Sequence, residues 1–237
     1  MQKTTVKKLE WDSDFFGYNV GKLNIIGDDN SNWNIEKLKK SAEEYRLVYI
    51  FSKTKIHETK IKLVDQKVTY TQKLNPNVLE KSIHQNIINF NPETHKIENI
   101  EELALISGTY SRFNTDANFT NHEYVKLYKQ WILNSINDPL DTDVLIYQLS
   151  QKILGFVTLE HKDNDFANIG LVAVSKKARG KGIATMLIEA CKKLAVEREK
   201  KFLQVVTQGD NKPAIRLYEK CQFEKSDLTY IYHFWNL

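Results

Sequence analysis

Residues 168–184 read NIGLVAVSKKARGKGIA. The first seven, 168–174, read as a strand. A basic, glycine-bearing loop follows at 178–182, then a helix to about residue 197. In that helix Ile183, Leu187, Ala190/Cys191 and Leu194 recur at i, i+4, i+7/8 and i+11, which makes one apolar face. A helix start leaves about four backbone N–H groups unpaired, with the positive end of the helix dipole behind them. Glycine lets such a backbone approach a ligand closely. Lys176, Arg179 and Lys181 add charge at the same point. The stretch therefore predicts a phosphate or pyrophosphate site, built from the N–H groups of Arg179, Gly180, Lys181, Gly182, Ile183 and Ala184. The loop alone is equally compatible with an ordinary strand-to-helix turn and a solvated basic rim. No Gly-Lys-Ser/Thr closes it as a Walker loop, and no third glycine completes a dinucleotide fingerprint.

Working outward, a strand is expected at 202–207, a helix at 213–221 and a last strand at 229–235. Upstream, 144–150 and 152–160 form a hairpin around Gln151, preceded by helices at 97–108 and 122–137. The first half reads as strands at 7–11 and 20–26 around a turn at 14–17, with a helix at 32–46 carrying Trp33, Ile35/Leu38 and Ala42/Tyr45 at helical spacing. A buried strand at 47–52, a helix at 54–63 and a strand at 68–74 follow. Residues 75–95 turn polar, with Asn75-Pro76-Asn77 and Asn91-Pro92, and read as a linker. The expectation is α/β: a smaller N-terminal α/β domain over 1–95 and a second domain over 96–237. No internal repeat is visible.

Composition removes several classes. The chain has 237 residues, 41% hydrophobic and 27% charged, with 11 Phe, 11 Tyr and 4 Trp, enough to build a core. The longest apolar run, 47–51, is far short of the ~20 residues that span a bilayer. Residues 1–16 lack the apolar stretch of a secretory signal. Cys191 and Cys221 are isolated and the 6 histidines are scattered, so neither a disulfide scaffold nor a metal site is expected. Both points fit a reducing cytoplasm. The net charge is +4, yet residues 175–201 hold nine basic and three acidic residues, a local +6 that leaves −2 for the rest. One short basic segment predicts one anionic ligand and argues against nucleic acid.

Arg179-x-x-Gly182-x-Ala184 after Leu171-Val172-Ala173-Val174 resembles the acetyl-CoA signature of the GNAT superfamily of N-acetyltransferases, Arg/Gln-x-x-Gly-x-Gly/Ala. A second segment supports it: residues 202–207, then Asn211-x-x-Ala214-x-x-x-Tyr218-x-x-x-x-Phe223. One departure is Gln222, where the family usually has glycine; it falls at a helix end rather than on the chemistry. Within the superfamily, Trp11-Asp12-Ser13-Asp14-Phe15-Phe16-Gly17, Ser111-Arg112-Phe113, Gln130-Trp131-Ile132 and Val206-Thr207-Gln208 look like the dTDP-4-amino-4,6-dideoxygalactose (dTDP-fucosamine) acetyltransferases.

The resemblance implies a GNAT fold, with a central mixed, mostly antiparallel sheet flanked by helices and a splayed strand pair admitting the cofactor. It implies acetyl-CoA as co-substrate, no metal, and an amino sugar nucleotide as acceptor in surface polysaccharide synthesis. A homodimer is left open. Leu171, Val172, Ala173 and Val174 would pair with the pantetheine arm, one N–H polarising the thioester carbonyl. These four also read as a plain core strand, and both readings can hold. Asn211 would contact the pantetheine near Ala214, or simply cap its helix. Tyr218 is the candidate acid for the leaving thiolate, since a phenol stays protonated at neutral pH. Residues 168–174 contain no Asp, Glu or His, where many relatives place a Glu. Glu160 and His161 end the neighbouring strand, and deprotonation through water is expected. Arg112 is a candidate for the diphosphate, and Phe15, Phe16 and Phe113 for stacking, although core packing competes for each aromatic. The acceptor is expected in a cleft between the two domains. Other amines, or a cofactor-binding domain without turnover, are the competing readings.

Overall fold

The computed structural model describes residues 5–25, 34–80, 82–161 and 163–236. Their contacts form two units. One gathers residues 1–68, 208–210 and 227–237, and the other 69–207 and 211–226. This differs from a linear division at residue 95 because the last strand of the chain pairs with an early one.

In the first unit β1 (Lys7–Lys8) pairs antiparallel with β2 (Val20–Ile25), and β2 runs parallel to β3 (Leu47–Ser52). β3 pairs antiparallel with the last strand, β10 (Glu224–Trp235), from Leu47↔Trp235 to Ser52↔Tyr230. Where the sequence suggested a strand to 11 and a turn, there is a helix, α1 (Glu10–Phe16). Ser13 is the reason. Its hydroxyl donates to the Leu9 carbonyl at 2.6 Å and accepts from the Val20 N–H at 2.9 Å, which holds a short helix against β2. Helix α2 (Ile35–Ser41) starts at Asn34, whose side chain accepts from the Glu36 N–H at 2.7 Å. It is shorter than the expected 32–46; Trp33, and Ile26 of the earlier strand, lie outside the described residues. The helix expected at 54–63 is absent. Ile56 and Ile61 are drawn into the core instead, and the Tyr232 hydroxyl accepts from the Ile56 N–H at 2.7 Å. The next strand, β4 (Lys62–Lys73), therefore begins earlier than expected.

The second unit builds a sheet in the order β4-β9-β8-β7-β6-β5. The expected linker holds a 3₁₀ turn, Pro76–Glu80, and β5 (Ile87–Asn89), antiparallel to β6 (Thr142–Leu149). β6 and β7 (Lys152–Glu160) form the expected hairpin. Its turn residues Ser150 and Gln151 both have positive φ, 47° and 64°, the geometry whose twist suits a two-residue hairpin loop. β7 pairs antiparallel with β8 (Phe166–Val174), which runs parallel to β9 (Phe202–Gln208). Helices α3 (Ile97–Ser107) and α5 (Glu123–Ile136), with the short α4 (Arg112–Thr115) before α5, cover one face. There Ile100, Leu103 and Ile132 pack on Ile146, Phe156 and Ala173. Helix α6 (Ile183–Glu197) covers the other face, against β6, β7 and β8. Helix α7 (Lys212–Lys220) follows β9. No helix among the described residues is long and apolar enough to cross a membrane.

Helix α7 closes in a Schellman motif: the Phe223 N–H donates to the Tyr218 carbonyl and the Gln222 N–H to the Glu219 carbonyl, both at 3.0 Å. Gln222 occupies the left-handed position, φ 67°, where glycine carries no Cβ penalty. Gln222→Gly is expected to raise unfolding free energy by about 1 kcal/mol, read as a higher urea midpoint with an unchanged slope.

Candidate functional site

β8 and β9 are paired from Phe166↔Phe202 to Ile169↔Val205, and there the pairing stops. β8 runs on to Val174 with β7 still alongside it, and β9 runs on to Gln208. The two strands part, and the edge of β8 facing β9 is left open. Which groups occupy that edge follows from a bulge opposite Val157–Leu159. The Leu171 N–H donates to the Thr158 hydroxyl at 2.8 Å, on the β7 side, and the Ser175 N–H to the Leu154 carbonyl at 2.8 Å on the same side. Backbone direction alternates along a strand, so the N–H groups of Val172 and Val174 face the gap. Of the four residues expected to hold an amide-bearing arm, these two present their donors to it. Leu171 and Ala173 face β7, and their side chains pack in the core beneath α3 and α5.

The loop leaving β8 carries the basic residues. Arg179 folds back, its Nε donating to the Val174 carbonyl at 3.3 Å, so the end of its guanidinium stays beside the gap. Gly180 and Gly182 have φ of 77° and 76°, and a Cβ on either would meet nothing within 4 Å. The positive φ explains the glycines, and the empty space in front of them is room for a ligand. Gly182 precedes the first turn of α6 with no side-chain cap. Among the described residues, none of the N–H groups from Arg179 to Thr185 has an acceptor. Lys181, Ile183 and Ala184 lie in the same stretch, from the end of the 3₁₀ turn at 176–178 to the first turn of α6.

On α7, the Asn211 side-chain oxygen accepts from the Ala214 N–H at 3.2 Å and caps the helix. Only its amide NH₂ is left for a ligand. Tyr218 is 2% exposed, between the rings of Tyr70 and Phe223 and beside Cys191 of α6. Burial pushes its phenol well above the ordinary tyrosine range, and the neighbouring Cys221 and Cys191 add to the shift. It is a protonated group at any physiological pH.

The substrate candidates separate. Phe113 is 4% exposed and packs on Phe119 and, edge to face, on Trp131 at 6.0 Å, so it presents no face to a ligand. The Arg112 guanidinium lies 4.4 Å over the Phe113 ring. Phe15 stacks on Trp11 at 4.9 Å and meets Phe16 edge-on, and Phe16 stacks on Tyr18, all within the first unit. What sequence reasoning missed is a cavity of about 400 Å3 between α5 and the strands β7 and β8, lined by Trp131, Asn134, Thr158, Glu160, Gly170 and Leu171 among others. Trp131, Asn134 and Ser135 stand at i, i+3 and i+4, a polar stripe beside the apolar face of α5 that could have signalled it.

His161 is not poised as a base. Its Nε2 is 2.7 Å from Asp143 Oδ2, its side chain is 3% exposed, and Arg198 completes the group 3.3 Å from Asp143 Oδ1. Burial works to raise the Asp143 carboxyl, but the His161 hydrogen bond and the Arg198 charge together hold it below the usual range.

Residues 105–223 match the acetyltransferase (GNAT) family model. The streptothricin acetyltransferase of Escherichia coli is 39% identical over 89 residues, 37% of this chain and 51% of that protein. The spore coat polysaccharide biosynthesis protein SpsD of Bacillus subtilis is 27% identical over 144 residues, 61% and 49% of the two chains. The dTDP-fucosamine acetyltransferase of Escherichia coli is 33% identical over 94 residues, 39% of each. The matches thus span about half the length of these relatives or less. Among solved structures, a conserved protein of unknown function from Staphylococcus epidermidis superposes with a TM-score of 0.66 at 13% identity, over 92% of this chain and 85% of that one. A GCN5-related N-acetyltransferase from Sphaerobacter thermophilus gives 0.56 at 14% identity, over 90% and 72%. These likenesses are of fold.

Two outcomes follow from this geometry. Gly182→Ala is expected to cost about 1 kcal/mol of stability and to weaken coenzyme A binding about tenfold, measured by calorimetry. Asp143 binds its proton less tightly folded than unfolded, so its contribution to stability is present above about pH 4 and is lost as pH falls through the lowered native value. Asp143→Asn should therefore flatten the dependence of the urea midpoint on pH between about 5 and 3.

Proposed function

Because the chain belongs to the acetyltransferase (GNAT) family, we propose that it transfers an acetyl group from acetyl-CoA to the 4-amino group of a dTDP-linked 4-amino-4,6-dideoxy sugar. The observation that carries the transferase reading is the opening between β8 and β9, with the unpaired N–H groups of Val172 and Val174 along it and the α6 N-terminus after it. The cradle from Arg179 to Ala184 suits the pyrophosphate of the cofactor, where N–H groups and helix dipole act together. The pantetheine amides pair with the free β8 edge as an added strand would. One of the two gap-facing N–H groups then polarises the thioester carbonyl and stabilises the oxyanion formed on attack.

Tyr218 protonates the departing sulfur. A thiol has a pKa of about 8.5, far below that of a buried phenol, so the tyrosine arrives at the reaction with its proton in place. The acceptor class rests on the names of two relatives, SpsD and the dTDP-fucosamine acetyltransferase, and on the sequence resemblance. In that role the enzyme serves surface polysaccharide synthesis in the cytoplasm, where acetyl-CoA and sugar nucleotides are both made. A second reading has its own support: the 39% identity to a streptothricin acetyltransferase favours a different amine on the same scaffold.

Release of free coenzyme A, followed with a thiol reagent, tests both readings. dTDP-4-amino-4,6-dideoxygalactose is assayed beside streptothricin and a panel of other amines and amino sugar nucleotides. Turnover with the dTDP sugar supports the first reading. Turnover confined to another amine keeps the transferase and discards the sugar. Coenzyme A binding without turnover on any amine discards the transferase. Tyr218→Phe is expected to lower kcat about 10²-fold while the KM for acetyl-CoA stays within a few-fold.

A further inference from the structure

Direct acetyl transfer needs a proton acceptor, because an amine is mostly ammonium at neutral pH and only the neutral form attacks. β8 offers none along its opened length. The neighbouring strand does. Glu160, the last residue of β7, is paired across from Asn168. Its carboxylate lines the cavity between α5 and the sheet. It reaches there because residue 170 is glycine: a Cβ at that position would lie 2.7 Å from the Thr158 hydroxyl and 3.5 Å from Glu160 Oε1. The missing side chain on β8 is filled by a carboxylate from β7.

Three further features mark the cavity. It borders Leu171, so it meets β8 just where the strand parts from β9. Glu160 makes no ion pair or side-chain hydrogen bond among the described residues. Asp138, the other carboxylate on the lining, is already engaged. Finally, the wall is polar, with Asn134, Ser135, Thr142 and Thr158 around one indole, Trp131. That is a lining for an amine on a hydroxylated framework, with an aromatic face for its C–H surface.

We propose that this cavity receives the acceptor amine and that Glu160 is the catalytic base that takes its proton. The assignment rests on the transferase reading above. The ammonium gives one proton to Glu160, which hands it to water. The neutral nitrogen then forms the C–N bond to the thioester carbonyl. As the C–S bond breaks, the nitrogen loses a second proton to the re-ionised Glu160 and the sulfur gains one from Tyr218. Glu160 gives this second proton to water and the Tyr218 phenolate takes one back from water, so the products are the acetamide and the free thiol, with one proton released overall.

The test compares Glu160→Gln with the unaltered protein on two acceptors found in the amine panel. One is ammonium at the assay pH, and the other is of low basicity and already neutral. Lost base catalysis predicts a fall in kcat of about 10²-fold or more for the first and a much smaller fall for the second, with acetyl-CoA affinity unchanged. Equal losses on both acceptors, or losses below about threefold, overturn the base assignment while leaving the transferase intact. Absence of turnover in the unaltered protein on every amine overturns the transferase reading and the base with it. Gly170→Ala provides a second check in case the glutamine variant folds poorly. Its Cβ intrudes on Thr158 and Glu160, so it should reproduce the selective loss on the ammonium acceptor; an unaffected ratio overturns the proposal.

Discussion

The parting of β8 from β9 after Ile169 and Val205 is the constraint on which the rest of the site depends. Inside a sheet, an N–H or carbonyl with no partner costs about as much as a lost hydrogen bond. Adjacent strands that separate therefore leave a slot that calls for a guest with its own amides. β8 can sustain this because its other edge is held: β7 pairs with it through Gly155↔Val174. The strand is rigid on one side and open on the other. The loop that leaves it reaches the uncapped first turn of α6 within eight residues, 175–182, so the proposed phosphate site would follow the slot at short range.

The bulge decides what the slot presents. Side chains and backbone groups alternate with period two, so one extra residue reverses the phase of everything beyond it. Gly170 and Leu171 together oppose Thr158, which absorbs the shift by accepting the Leu171 N–H. Thr158 is 1% exposed, so its hydroxyl has no access to bulk water and a backbone donor is its natural partner. The same shift puts Val172 and Val174 donors in the gap and turns Leu171 and Ala173 into the core under α3 and α5. It also places a glycine where the β7 carboxylate needs space.

Much of this was legible in the sequence, and the exceptions have physical causes. Elements with strong periodicity or tight punctuation, α6, α7, the β6–β7 hairpin and β8, lie within a few residues of their expected bounds. Local propensity misled where a tertiary contact took over. Residues 54–61 have no helix because Ile56 and Ile61 are pulled into the core and Tyr232 caps the backbone there. Residues 87–89 became a strand because β6 had an edge to fill. The glycine turn and helix start over 179–184 were readable because they lie in one continuous stretch. The cavity was not, since its walls come from α5, β7 and β8 and depend on a bulge that no spacing reveals. Asn211 shows the limit of motif reading: its oxygen is spent on the helix cap, and only the amide remains for a ligand.

The two ionisable groups assigned to the chemistry sit in opposite surroundings, and that difference sets their roles. Tyr218 lies beside α6, sealed among aromatic rings and two thiols, where desolvation disfavours the phenolate and keeps the proton on. Glu160 faces the α5 side, in a polar cavity among amide and hydroxyl groups. Between β8 and β9 runs the gap, where cross-strand pairing stops after Ile169 and Val205. In the proposed reaction a thioester lying in it would be reached by the acid from one side and by the amine from the other. On the proposed assignment, opening the sheet at Ile169 would do two things at once: leave backbone donors for the cofactor, and let the proton donor act on the sulfur and the proton acceptor on the nitrogen without meeting. A closed sheet with the same side chains would hold both groups and bring neither to the reaction.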